Sequence, residues 1–178
     1  YFKSRVASAA ADVSVAMLVL GVDTSQLKAV TALMQVSASG QVDVLSFEEG
    51  SISVSHSEAL LPLIDALLRK SKKTLSEVDA FSVGVGPGSF TGLRIGLATV
   101  KALAQALQKK VAVFSSLRAL ALSADSTANV VMENAYQSQV FVGWLSADGS
   151  WLEDALSGAA WVELHAGALH ATVLGSGA

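Results

Sequence analysis

The chain has 178 residues, of which 52% are apolar and 15% charged, and its formal net charge is −3. This length and apolar content suffice for one full domain or two small lobes with a buried core. The charge balance argues against direct, tight nucleic-acid binding, which requires a concentrated footprint of lysine and arginine. The chain has no cysteine, which excludes a disulfide framework, a thiolate zinc site and a thiol nucleophile. No apolar run reaches the roughly 20 residues of a membrane-spanning helix.

Residues 1–16 are rich in alanine, serine and valine and have no strong apolar centre, so they make a poor secretory signal. The first four residues, YFKS, resemble the scar of a cleavable tag. We therefore expect residues 1–16 to be a leader or tag remnant, with a natural start near Met17.

The next hundred residues predict strands followed by alternating helices and strands. Met17–Asp23 is a compact apolar run that predicts a buried strand, and Asp23-Thr24-Ser25 predicts a turn after it. Pro62 either kinks the first helix or marks where that helix properly begins. This order of elements predicts an α/β lobe with a mixed sheet. The remaining predicted elements are strands at 29–36, 42–48, 80–85 and 111–114, and helices capped near Ser55 or Ser57, after the loop before Leu93, and at Ser115-Ser116.

The last third of the chain predicts a second, weaker β-rich half. Short apolar runs bounded by polar residues are typical of strands. The runs are Val130–Met132, Val140–Leu145, Trp161–Leu164 and Val173-Leu174.

The strongest local signal is a glycine-rich string, Gly86–Gly96, which reads GPGSFTGLRIG and lies between a strand and a helix. Such a string can cradle a phosphate at a helix N-terminus, or it can let the helix lie close against another surface. It is not a Walker A loop, because no Gly-Lys-Ser/Thr follows, and its glycine spacing does not match the dinucleotide-binding fingerprint.

The helix after this string is apolar on nearly all sides. One stripe contains Leu93, Leu97, Val100, Ala104 and Leu107; a second contains Gly92, Ile95, Gly96, Thr99, Leu103 and Ala106. Such a helix is buried on both faces, one against its own sheet and the other against a partner chain or a second layer. Small residues at Gly92 and Gly96 would let another helix approach closely. We therefore expect Gly96→Arg to block a partner and to leave the fold intact, with internal burial and a phosphate cradle as alternatives.

Asp23-Thr24-Ser25 is a weak candidate for cofactor binding. An acid that closes a strand before a hydroxyl turn places a magnesium-linked carboxylate beside phosphate in several folds, and a plain Asx-turn explains the same residues. The histidines at 56, 165 and 170 do not form a metal-binding set, and the Gly-x-Ser-x-Gly motif of a serine hydrolase is absent.

Three segments, taken in order, resemble the TsaB/YeaZ family. They are Leu20–Ser25 (LGVDTS), His56–Ile64 (HSEALLPLI) and Gly86–Gly96 with its helix, and Val113–Leu120 extends the similarity. The resemblance implies an actin-like α/β fold of the ASKHA class, which is ribonuclease H-like, with two related lobes and mixed sheets. We place the N-terminal lobe at 17–110 and a smaller, incomplete C-terminal lobe at 111–178.

The resemblance also implies a function. It indicates a non-catalytic scaffold subunit that binds the paralogue TsaD, together with the ATPase TsaE, for threonylcarbamoyl transfer to the adenosine next to the anticodon of tRNA in the cytoplasm. It implies no metal or cofactor on this subunit, ATP and magnesium use by its partners, tRNA contact only through the complex, and a homodimer when TsaD is absent. The partner-binding residues that it implies are His56, Leu60, Leu61, Ile64, Leu68, Gly92, Ile95, Gly96, Thr99 and Leu103.

Two other functions compete with the scaffold. One is an ATP-binding phosphotransferase built on Asp23 and the glycine string. The other is a peptidase, an older label in this family, which the absence of a triad, a thiol and a paired-histidine metal site argues against.

Overall fold

A computed structural model describes residues 16–51, 56–123, 130–136, 139–145, 150–157 and 173–174. The chain divides into two units: the first runs to Val85 and resumes at Ser89–Phe114, and the second contains Gly86–Gly88 and the chain from Ser115 onward. The predicted leader up to residue 15, the cap at Ser55 and the strand at Trp161–Leu164 lie outside the described residues.

The first unit is built on a five-stranded mixed sheet. Its strands are β1 (Met17–Asp23), β2 (Lys28–Val36), β3 (Val42–Ser51), β4 (Ala80–Gly84) and β5 (Lys110–Phe114). β1, β2 and β3 form an antiparallel meander, whereas β4 lies parallel to β1 and β5 parallel to β4, which gives the order β3-β2-β1-β4-β5. All five strands are therefore present where the residue patterns predict them, within a few residues.

Two helices connect these strands. α1 (His56–Lys70) follows β3, and α2 (Phe90–Leu107) connects β4 to β5. Pro62 lies inside α1, so the helix does not begin at the proline. α2 begins after an N-cap at Ser89, whose hydroxyl accepts the N–H of Gly92 at 3.2 Å, and this serine explains why the helix starts earlier than its leucine pattern predicts.

The core of the first unit lies between the sheet and these two helices. Alternate strand residues point to one side of the sheet, where the stripes of α1 and α2 cover them. Each fully buried leucine, valine or phenylalanine contributes about 1.5–3 kcal/mol relative to an exposed one. The fully buried members include Leu20, Val22, Leu33, Leu60, Leu67, Phe81, Val83 and Val100.

The second unit repeats part of this topology. It contains α3 (Ser116–Ser123), β6 (Val130–Tyr136), β7 (Gln139–Leu145), β8 (Trp151–Ser157) and β9 (Val173-Leu174). β6, β7 and β8 form an antiparallel meander and β9 lies parallel to β6, in the order β8-β7-β6-β9. This order is that of β3-β2-β1-β4 in the first unit. The expected α/β, actin-like (ASKHA, ribonuclease H-like) fold with two related, mixed-sheet lobes is thus confirmed.

β8 is a strand that the residue pattern did not predict. It pairs with β7 along all of its seven residues. The ring of Trp151 lies over Gly143 of β7, where a Cβ atom would overlap the ring. Backbone pairing with β7 and the contact between the Trp151 ring and Gly143 therefore stabilise this strand.

A short 3₁₀ helix, Leu75–Glu77, links α1 to β4 and is closed by a capping box. The Glu77 carboxylate accepts the backbone N–H of Thr74 at 2.7 Å and the Thr74 hydroxyl at 2.9 Å, and it pairs with Lys73 at 3.0 Å. The Thr74 backbone hydrogen bond, followed by the Lys73 ammonium and the Thr74 hydroxyl, lowers the pKa of Glu77 from 4.5 to about 2.

This lowered pKa predicts an acid-dependent contribution to stability. A carboxylate with a depressed folded-state pKa stabilises the fold above its unfolded pKa, and the contribution is lost as the pH falls through the folded value. We expect the difference in urea midpoint between the wild type and Glu77→Gln to be constant near neutral pH and to shrink between pH 4.5 and about 2. Asp43→Asn, an exposed carboxylate on β3, controls for the lost charge; a Glu77→Gln difference that is independent of pH would contradict the expectation.

Among the described residues, no helix combines the length and the apolar character that a membrane crossing requires.

Candidate partner interface

α1 presents one stripe of leucine and isoleucine to the core of its own unit. Leu60, Ile64 and Leu68 recur every four residues and all are buried. This spacing keeps them on a single face of the helix, and that face lies on the sheet. Three residues expected at a partner interface are therefore core residues in this chain. Leu60 can contribute to binding only through the position of α1, whereas Ile64 and Leu68 also reach the floor of the groove described next.

The outer side of α1 borders an open groove. Leu61, next to the buried Leu60, is 52% exposed. The groove has a volume of about 310 Å³, and its apolar wall can accept side chains from another protein. Its lining consists of Leu61, Ile64, Asp65, Leu68 and Arg69 of α1, Lys73, Thr74 and Leu75 of the following connection, and Leu103 of α2.

Charged side chains form the rim of this groove. Asp65 and Arg69 pair at 2.8 Å one turn apart on α1, and Lys73 pairs with Glu77 at 3.0 Å. Exposed pairs of this kind contribute little to stability, about 0–1 kcal/mol, because water and salt screen them. The same charges are therefore free to pair with a partner without a large loss inside the chain.

α2 carries an outward face that the sequence prediction missed. Phe90 is 73% exposed and the guanidinium of Arg94 lies 5.5 Å from its ring centre, within range of a cation–π contact. Leu97, one turn further on, is 38% exposed, although the prediction placed it on the stripe that covers the sheet. The polar residues Arg94 and Lys101 share this side of the helix, and this spacing was the available signal for the outer face.

The two helix glycines face inward, and the prediction that they admit a partner helix is wrong. Gly92 and Gly96 are buried against the turn between β1 and β2. A Cβ atom on Gly92 would overlap the carbonyl oxygen of Thr24, and one on Gly96 would overlap the Thr24 hydroxyl. The small residues thus serve a close approach within the chain, and Gly96→Arg cannot leave the fold intact.

The remaining predicted partner residues lie at the margin of the core. Ile95 and Leu103 are partly buried and pack against it, and Thr99 is also partly buried. His56 is the first residue of α1, and its side chain is outside the described part of the chain. The outward residues therefore form two separate areas. One is the groove with Leu61, which we call the α1–α2 face, and the other is the Phe90–Leu97 side of α2.

The Asp23-Thr24-Ser25 turn is committed to the fold. Ser25 donates its N–H to the Asp23 carboxylate at 2.8 Å, which is an Asx-turn, and the Thr24 hydroxyl donates to the carbonyl of Gly92 at 2.7 Å. The Ser25 carbonyl accepts the N–H of Ser89 at 2.7 Å. Thr24 and Ser25 are both buried. The turn therefore seats the start of α2, as the plain structural interpretation predicts.

The glycine string likewise directs its polar groups to the chain itself. In the second unit, Gly86 donates its N–H to the Ser116 hydroxyl at 3.2 Å and accepts the Ser116 N–H at 2.9 Å. In the first unit, the Ser89 hydroxyl occupies the Gly92 donor at the start of α2. Across the described residues, no three His, Asp or Glu side chains are grouped so that they could hold a metal ion.

The comparisons with known proteins agree with this topology. A family model described as "TsaD: tRNA N6-adenosine threonylcarbamoyltransferase" matches residues 51–158. The solved structure of YeaZ from Pseudomonas aeruginosa is 32% identical with a TM-score of 0.64, over 79% of this chain and 68% of that one.

Curated relatives match over shorter parts of their length. The TsaB protein of Haemophilus influenzae, named for tRNA threonylcarbamoyladenosine biosynthesis, is 39% identical over 48% of this chain and 40% of its own. The tRNA N6-adenosine threonylcarbamoyltransferase of Rhizobium etli is 33% identical over 62% of this chain and 34% of its own. The matched part of the chain thus spans well under half the length of either relative.

The strand order that the two units share defines a two-lobed protein of the ASKHA type. Its glycine string positions the start of α2. The chain belongs to the family of the TsaD model, and within it to the TsaB/YeaZ group.

Proposed function

We propose that this chain is a non-catalytic accessory subunit in the synthesis of threonylcarbamoyladenosine in tRNA, and that its α1–α2 face binds a TsaD subunit. The observation that carries the proposal is the open apolar groove beside an exposed Leu61, on a chain of the TsaB/YeaZ group. An apolar groove between two helices is a common docking site for a helix of another protein.

The similarity between this chain and TsaD supports TsaD as the partner. The transferase of Rhizobium etli is 33% identical over an alignment of 126 residues that covers 62% of this chain, so TsaD has counterparts of much of this chain's fold. Related helix pairs can meet about an approximate two-fold axis, where each presents a similar apolar surface to the other. The charged rim at Asp65 and Arg69 would then set the register by pairing with charges on the partner.

The internal hydrogen bonds of the Asp23-Thr24-Ser25 turn support a subunit that performs no transfer itself. Its Thr24 hydroxyl is used to hold Gly92, and its backbone holds Ser89. In this proposal TsaD carries out the transfer, TsaE joins the complex, and these partners use ATP and magnesium. The chain contacts tRNA only through the complex, acts in the cytoplasm, and pairs with a second copy when TsaD is absent.

Leu61→Arg tests the interface. Arginine favours helix formation and can pair with Asp65 one turn on, so α1 keeps its stability while the groove gains a charge. We expect binding to purified TsaD, measured by calorimetry, to weaken by about 30-fold or more, because a central apolar contact is worth about 2 kcal/mol or more. We also expect formation of threonylcarbamoyladenosine in a mixture with TsaD, TsaE and tRNA to fall with it.

The matched control is Leu122→Arg. Leu122 is 79% exposed on α3 of the second unit and is not part of the α1–α2 face, so its substitution should leave TsaD binding unchanged. If Leu61→Arg binds TsaD with the affinity of the wild type, the proposed interface is wrong. Tight binding of Mg-ATP to the isolated chain that Asp23→Ala removes would favour the phosphotransferase instead.

A further inference from the structure

The helices α1 and α2 end with the same backbone arrangement, and lysines follow each end. Lys72, after α1, and Gln108, after α2, both have a left-handed backbone with φ of 54°. The next residues, Lys73 and Lys109, each donate an N–H at 2.9 Å to the carbonyl five residues earlier in the chain. This is the hydrogen bond of a Schellman C-cap, and it fixes the backbone from which the lysine side chains extend.

These lysines lie at one end of the first sheet. Lys72-Lys73 belongs to the connection that leads into β4, and Lys109 leads into Lys110, the first residue of β5. β4 and β5 are parallel, and Lys110 lies opposite Ala80, the first residue of β4. Both connections to the second unit leave from the opposite ends of these two strands. The position of the lysines therefore follows from the first unit alone.

Three of the four lysines have no carboxylate partner in the described part of the chain. Lys73 pairs with Glu77 at 3.0 Å, whereas none of the described ion pairs includes Lys72, Lys109 or Lys110. Lys72 and Lys110 are exposed and Lys109 is partly exposed. We call Lys72, Lys109 and Lys110 the basic end of the first unit.

The acids next to the basic end are already used within the chain. The Glu77 carboxylate closes the capping box with Thr74, and the Asp79 carboxylate accepts the N–H of Leu18 at 2.8 Å. A favourable interaction with a helix dipole explains lysines that follow a helix, but it does not explain Lys110, which lies in a strand. The basic end thus concentrates uncompensated positive charge on a chain whose net charge is −3.

We propose that the basic end contacts the phosphate backbone of tRNA when this chain is part of the complex with TsaD. This contact rests on the proposed function, because only the complex brings the RNA substrate to this chain. Lysine is a flexible point charge that suits phosphate groups, and such contacts position a nucleic acid without reading its sequence. Three contacts supply only part of the affinity, in agreement with the charge balance of the whole chain.

The surroundings of the lysines favour RNA over an acidic protein as the partner. Protein interfaces depend on buried apolar or aromatic anchors at their centre. No large apolar side chain within residues 70–80 or 108–110 is exposed. The apolar groove of the α1–α2 face is the surface with such anchors, and the basic end lies beyond its rim at Lys73.

The first experiment measures how salt weakens the binding of unmodified tRNA to the complex of this chain with TsaD. The triple variant Lys72→Gln, Lys109→Gln, Lys110→Gln removes the three charges. Each lost phosphate contact makes the plot of log K against log salt concentration shallower by roughly 1, so we expect a change in slope of about 2 to 3. The affinity for TsaD and the urea midpoint of the triple variant should remain those of the wild type.

The matched control removes the same charge from other parts of the chain. Lys28→Gln, Arg94→Gln, Arg118→Gln changes three cations away from the basic end and should keep the wild-type slope. An unchanged slope in the first triple variant, an equal change in both, or a weaker affinity for TsaD, as expected of a protein interface, would each overturn the proposal. A wild-type chain that does not bind TsaD would overturn the proposed function as well.

The second experiment maps the contact without any substitution. Lysines of the complex are acetylated with and without tRNA, and the modified positions are identified by mass spectrometry. We expect tRNA to protect Lys72, Lys109 and Lys110. Lys28 is the internal control, because its side chain is 58% exposed at the start of β2, at the other end of the sheet. Acetylation of the basic end that tRNA leaves unchanged would contradict the contact.

Discussion

Alanine at Gly92 is expected to destabilise the first unit by about 2 kcal/mol or more, although alanine is the better helix former. Replacing a helix-interior glycine by alanine gains about 1 kcal/mol where there is room for the methyl group. At Gly92 there is none, because the Cβ atom would overlap the backbone carbonyl oxygen of Thr24. Relieving this contact requires α2 and the β1–β2 turn to separate, which also strains the hydrogen bond from the Thr24 hydroxyl to the Gly92 carbonyl. Overpacking in such a site costs about 1–3 kcal/mol and occasionally more.

Gly96→Ala provides the sharper comparison. Its Cβ atom would overlap the hydroxyl of the Thr24 side chain, and the other Thr24 atoms are at 3.4 Å, an ordinary contact distance. Thr24→Ala removes the obstructing atom, so the double variant Thr24→Ala, Gly96→Ala should recover much of the stability that Gly96→Ala loses. The same Thr24→Ala change should not rescue Gly92→Ala, because the obstructing atom there belongs to the backbone.

Urea denaturation of the single and double variants, combined as two double-mutant cycles, measures this difference. The cycle for Gly96 and Thr24 should give a large favourable coupling, and that for Gly92 and Thr24 should give little. Equal rescue in both cycles, or stability gains in the single alanine variants, would contradict the observed approach of α2 to the β1–β2 turn.

Leu60→Ala is expected to cost about 2–5 kcal/mol of stability, the range for truncating a fully buried leucine. Leu60 has no exposed surface and belongs to the core between α1 and the sheet. Leu61→Ala is the matched control on the neighbouring residue: it is half exposed, and substitutions at such positions usually change stability by less than about 0.5 kcal/mol.

The urea midpoints of Leu60→Ala and Leu61→Ala show which face of α1 is packed in the core. A large loss for Leu60→Ala beside a small one for Leu61→Ala supports the core as described. A stable Leu60→Ala would instead show that α1 does not cover the sheet with this stripe. Because both variants keep a good helix former, helix propensity does not account for a difference between them.

Together these predictions assign different roles to neighbouring residues of α1 and α2. The glycine string and the stripe from Leu60 to Leu68 hold α1 and α2 on the sheet. Leu61, the groove and the side of α2 with Phe90 and Leu97 are the surfaces left for a partner. A variant intended to block a partner must therefore change an outward residue such as Leu61, because changes in the glycine string or at Leu60 alter the fold.

The strands and helices of the first unit could be predicted because their patterns are strong. β1 is a short apolar run and α1 has a clear helical stripe, and both periods follow from backbone geometry alone. β8 could not be predicted in the same way. Its residues, WLEDALS, include the helix formers leucine, glutamate and alanine, and pairing with β7 overrides that preference.

The sequence by itself determined the family resemblance, the α/β class, the positions of most elements and the fact that α2 has two apolar sides. Only the tertiary structure decided which side of α2 is covered by its own chain. The reason is that Gly92 and Gly96 meet Thr24, which lies about 70 residues earlier in the chain, and a helical period carries no information about such a distant partner. This close approach turns the small residues inward and leaves Leu97 and Phe90 on the outside of α2.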